Sequence, residues 1–141
     1  VTVGRPSIFT PEIAAAICDE IAAGRSLRTI CDREDMPAKS TVFLWLSKNK
    51  DFLDQYVRAR EAQADAMAEE ILDIADDGTN DTYQDEHGNV RTDQEVIGRS
   101  RLRVDTRKWL MSKLAPKKYG EKITQEHSGV DGGPLVISWL K

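Results

Sequence analysis

The chain reads as mainly α: three short N-terminal helices, a long central helical hairpin and a strand-forming tail. Three observations predict this class. Apolar residues recur at helical spacing between clear start and stop signals. Two stretches, 52–75 and 94–115, run on without proline. Only the last twenty or so residues switch to strand-like composition around a Gly/Pro turn.

Each element has a local cause. Thr10 is an N-cap and Pro11 fits the first helical position, with Glu12 in the first turn. Ile13, Ile17 and Ile21 then repeat every four residues, and Gly24 stops the helix. Ser26 caps a short second helix that turns Leu27, Ile30 and Cys31 inward. A polar turn from Asp32 to Ala38 contains Pro37. Ser40 is the expected cap of a third helix, with Val42, Trp45 and Leu46 on its inner face. Trp45 is expected to anchor that helix against Ile17, Ile21 and Ile30. Three short helices in the first fifty residues match a helix-turn-helix unit.

Asp51 is expected to cap a long helix, Phe52 to Ala75, rich in alanine. Glu61, Asp65, Glu69 and Asp73 repeat every four residues as an acidic ridge. A polar loop follows, Asp76 to Asp93, with room for a small hairpin through Tyr83 and Val90. A second long helix, Gln94 to Ala115, ends at Pro116. It carries Leu102, Trp109, Leu110 and Leu114, and a basic ridge of Arg99, Arg103 and Arg107. The two ridges match in spacing and sign, so they pair within one hairpin or between copies; a subunit interface is the expected place, with Trp109 in it. Arg107 and Lys108 are the residues of this block expected to remain free for DNA. Ile123–His127 and Leu135–Trp139 read as strands. A lone two-stranded ribbon is marginal in water, so these strands need partners, which other copies supply. The expected division is residues 1–50, 51–118 and 119–141.

Charge bears on function. The net charge of −4 argues against nucleic acid until it is divided along the chain. Residues 1–50 carry seven Lys/Arg and six Asp/Glu, residues 51–98 three and fourteen, and residues 99–118 eight and one. So uneven a distribution points to partners. Lys39, Ser40, Thr41, Lys48 and Lys50 place hydroxyls and amines on the third helix, where they suit phosphates and base edges. Arg5 and Arg28 are placed to clamp the backbone. The same residues also fit a capped helix with a solvated face.

Catalytic signatures are missing. No glycine is followed by lysine, and neither G-x-G-x-x-G nor G-x-S-x-G occurs. His87 and His127 are isolated, and Cys18 and Cys31 sit in apolar helical patterns. Asp76, Asp77, Asp81, Asp85 and Glu86 fit no calcium loop and read as a solvated acidic loop. No catalysis, metal or cofactor is expected. No apolar run is long enough to span a membrane, and no signal segment is evident at the start.

Four stretches carry a resemblance to a known family: Gly4-Arg5-Pro6-Ser7, Met36 to Leu46, Arg101 to Trp109, and Pro116-Lys117-Lys118-Tyr119-Gly120. Together they resemble the small terminase subunit of tailed bacteriophages, in the branch of Sf6-like podophages. The resemblance implies helix-turn-helix domains around a core of helical hairpins, with C-terminal strands of all copies forming a small barrel. It implies a closed homo-oligomeric ring of about eight to ten copies. It also implies binding of double-stranded viral DNA at the packaging start, and recruitment and regulation of the large terminase subunit, which holds the ATPase and nuclease. The expected location is the host cell cytoplasm. The chain departs from the pattern at Leu44, where a basic residue often stands, and in a long 79–93 loop. A dimeric helix-turn-helix transcriptional regulator is the competing reading, and an accessory subunit of a recombinase a more distant one.

Overall fold

A computed structural model describes residues 4–123, 127–128 and 130–134. The elements are α1 (Pro11–Ala22), α2 (Leu27–Cys31), α3 (Lys39–Lys48), α4 (Lys50–Asp76), β1 (Thr82–Gln84), β2 (Val90–Thr92), α5 (Gln94–Leu114) and α6 (Pro116–Tyr119). A single 3-10 turn spans Val130–Gly132. The mainly helical class is as expected. The strands expected to form a barrel lie largely outside the described residues: 124–126 and 135–141 are not among them.

The caps explain where the first helices begin. Thr10 accepts from the Ile13 amide at 3.2 Å, and Ser26 from the Thr29 amide at 3.1 Å. Gly24 ends α1 in the left-handed region, φ 100°, which costs glycine little. Two expected caps are corrected. Ser40 caps nothing: Ala38 is the N-cap of α3, without a side-chain bond. Ala38 is already extended, and its carbonyl accepts from Val42, so the helix starts before Ser40. Asp51 lies inside the first turn of α4, because the Asn49 side chain takes the Phe52 amide at 2.9 Å.

The main core gathers α1, α2, α3 and the start of α4. Ile17, Ile21, Ile30, Val42 and Phe52 are essentially solvent-free, with Trp45 and Ala59 beside them. Trp45 sits among Ile17, Ile21 and Ile30 as anticipated, and Phe9 closes the cluster. The Phe9 ring meets Trp45 edge-on at 5.5 Å and Phe52 at 5.7 Å. The core therefore reaches past residue 50 into a continuous helix. Gln63 makes a second tie: buried in α4, it donates to the Arg25 carbonyl at 2.9 Å and accepts from Arg60 at 2.8 Å. Both ends of a buried amide are thus satisfied. Cys18 and Cys31 are buried in this cluster, and burial pushes both thiols up in pKa.

α4 and α5 form an antiparallel hairpin, since Asp65 meets Lys118 while Glu70 meets Arg107. Its own core is thin: Ala64, Met67 and Met111 are buried, flanked by Ile71, Leu110, Leu114 and Tyr119. Leu72, Leu102 and Trp109 stay about 60% exposed. At the tip, β1 and β2 pair antiparallel with Tyr83 opposite Arg91 and Gln84 opposite Val90. This hairpin falls where expected. Asp85 organises its turn, accepting from the His87 and Asn89 amides and from Arg91 at 3.0 Å. Those donors hold its carboxyl below the usual range. Among the described residues no helix is long and apolar enough to cross a membrane.

Candidate nucleic-acid interface

α3 presents a two-faced surface. Val42 and Trp45 fix its inner side in the core. Ser40, Phe43, Leu44 and Ser47 fall on the opposite, exposed side. Lys39 opens the helix and Lys48 closes it, and both are exposed. From Met36 to Lys50 the chain carries three lysines and no carboxylate. Because no side chain caps α3, its first amides are left to outside acceptors, and Ser40 and half-buried Thr41 stand in that first turn.

Arg5, Arg28 and Lys39 converge. They line a shallow cleft of about 340 Å³ with Cys31 and Asp32. Arg5 does more than supply charge: its guanidinium donates to the Cys31 carbonyl at 2.7 Å and to that of Asp32 at 3.4 Å. The arm before α1 is thereby laid over the C-terminal end of α2, where cations are favoured. Lys50 stands apart. It pairs with Asp54 at 2.8 Å, which raises its pKa, yet its side chain remains 83% exposed. So exposed a pair is weak, and a phosphate can replace the carboxylate.

The residues read as two ridges do not line up as one seam within the hairpin. A four-residue step rotates about 40° around a helix, so each ridge spirals away from its start. Arg107 pairs with Glu70, which is off the acidic series, and is therefore not free for DNA as anticipated. Among the described residues, Arg99 reaches only Glu95 on its own helix, at 3.8 Å. Arg103 borders a polar hollow with Asp93 and Glu95 near the base of the β-hairpin. Asp65 instead takes Lys118 at 2.6 Å and the Tyr119 hydroxyl, pinning α6 to α4. Glu61, Glu69 and Asp73 are exposed, with no ion pair among the described residues. Trp109 lies open, with the Lys113 amine 5.9 Å from its ring centre. The α6 pin was legible only as part of a motif; its signal is Pro116 and Gly120 bracketing one helical turn. A Cβ at Gly120 would stand 2.4 Å from the Pro116 oxygen.

The family model for the bacteriophage Sf6 terminase small subunit-like proteins matches residues 9–126. The chain belongs to that family. Solved structures agree over nearly the whole length. One variant of the terminase small subunit gp1 of the bacterial virus Sf6 is 44% identical, with TM-score 0.72 over 94% of this chain and 98% of that one. A second gp1 variant is 43% identical, with TM-score 0.71 over 96% and 95%. A third gives 44% identity and TM-score 0.72, again over 94% and 98%. No curated protein sequence matches significantly. Membership of this terminase small subunit family implies a part in viral DNA packaging, with DNA, a large terminase and further copies as partners.

Proposed function

We propose that the chain is a non-catalytic small terminase subunit that binds double-stranded viral DNA at the packaging start and recruits and regulates the large subunit. The observation that carries the DNA reading is the outer face of α3: lysines at both ends, no carboxylate within the helix, and the cleft of Arg5, Arg28 and Lys39, which Asp32 also lines. One such domain offers few phosphate contacts and binds weakly. A ring of copies raises effective concentration, so modest basicity repeated many times suffices. This removes the objection raised by a net charge of −4.

The assembly reading is supported by the hairpin. Helices of 27 and 21 residues bury little between them and leave Leu72, Leu102 and Trp109 open. Apolar surface of this kind calls for a partner, and further copies are the occupant the family implies. Glu61, Glu69 and Asp73 on α4, with Arg99, Arg103 and Trp109 on α5, are the proposed interface residues. The tail from 119 to 141 is proposed to complete assembly and dock the large subunit in the host cytoplasm.

The test is a mixing experiment with the matching large subunit. The ATPase rate of that subunit is expected to change when this protein and duplex DNA are added. A rate that ignores it, with DNA binding intact, would instead favour a helix-turn-helix regulator.

A further inference from the structure

Phe43 and Leu44 are 51% and 50% exposed on a helix that has a good core to face. They stand side by side on the outer face of α3, with Ser40 and Ser47 beside them. The Ser47 hydroxyl is turned back on the Leu44 carbonyl at 2.7 Å, so it offers little outward. The centre of the face is therefore apolar and its two ends are cationic. About 13 Å of helical rise separates Lys39 from Lys48, close to the width of about 12 Å of the DNA major groove. Amines at that separation can reach phosphates on the walls while the side chains between them meet base edges.

Resting on the DNA reading above, we propose that Phe43 and Leu44 are specificity residues that read the 5-methyl group of thymine in the major groove. No hydrogen-bonding side chain occupies the middle of the face, so a hydrogen-bond code is absent there. The 5-methyl group is the apolar feature the major groove presents. The charge pattern selects this occupant over a protein surface: Lys39 and Lys48 stand at the two ends of α3, which carries no carboxylate. Leu44, the residue at odds with a phosphate-binding role, thereby gains one.

The experiment compares the full-length protein on an alternating A·T duplex and on the same duplex with deoxyuridine for thymidine. A second pair compares an alternating G·C duplex with its 5-methylcytosine form. Phosphate number is equal within each pair. The expected result is about fourfold tighter binding for each engaged methyl, the gain from burying one such group. Replacing Phe43→Ala and Leu44→Ala together should abolish the methyl preference while leaving the salt slope unchanged. Equal binding of methylated and unmethylated duplexes, with Lys39→Ala still weakening both, overturns the methyl reading alone. A Phe43/Leu44 double variant that changes assembly mass and not methyl preference also overturns it, marking the patch as a contact between copies. Failure to bind any duplex overturns the DNA reading as well. Exchanging the DNA base needs no protein variant, so a folding defect cannot mask the answer.

Discussion

Phe52 shows how much one side chain can hold. It is 1% exposed and touches Phe9 and Tyr56 from the first turn of α4. Phe52→Ala leaves a cavity where α1, α3 and α4 meet, and should cost about 3–5 kcal/mol. Urea unfolding followed by circular dichroism checks this; a loss below 1 kcal/mol would mean the site collapses around the gap. Asp65 is a different case. Lys118 and then Tyr119 hold its carboxyl below the usual range. Its folded-state pKa is depressed, so the contribution is present above an ordinary carboxylate pKa of about 3.9 and is lost as pH falls through the lower folded value. Asp65 in turn raises Lys118 and Tyr119, so their contribution is lost only as pH rises past their ordinary values. The Tyr119 ring signals in NMR should stay constant between those limits. Asp65→Asn should shift them at neutral pH; signals that follow an ordinary carboxylate titration would show that the pin does not form.

At the scale of elements, α3 is the part proposed to act on DNA, and α4 packs against it through the shared core. Lys39→Ala with Lys48→Ala should lower the salt slope of duplex binding by about 0.9 per lost phosphate contact. A slope that is unchanged would move the interface off α3. The helices themselves were legible because their signals are local. Thr10-Pro11, Ser26 and Gly24 act through neighbours a few residues away, and the isoleucine spacing reports a buried face. The corrected caps are local too: Asn49 outcompeted Asp51 because its oxygen reaches the Phe52 amide, a choice composition does not decide. Pairings of α4 with α5 and α6 were not legible. They depend on the rotation and offset of two helices, so Arg107 found Glu70 and Lys118 found Asp65. Arg5 was legible as a charge and not as a brace, because its carbonyl partners lie 26 and 27 residues away.

At the scale of the whole molecule, the distribution of apolar surface carries the account. The N-terminal helices bury Ile17, Ile21 and Ile30 fully, whereas α5 leaves Leu102 and Trp109 outside. A chain that packs one half well and leaves the other open is shaped for association. Trp109→Glu should therefore reduce the assembly in light scattering while helicity is kept. An unchanged mass would place the interface elsewhere. Removing residues 120–141 should weaken association by a separate route, because the α6 pin at Asp65 remains. The most direct measurement is native mass spectrometry of the full chain. One closed assembly of many copies, presenting as many α3 helices to DNA, is the expected result; a monomer or a simple dimer would contradict it.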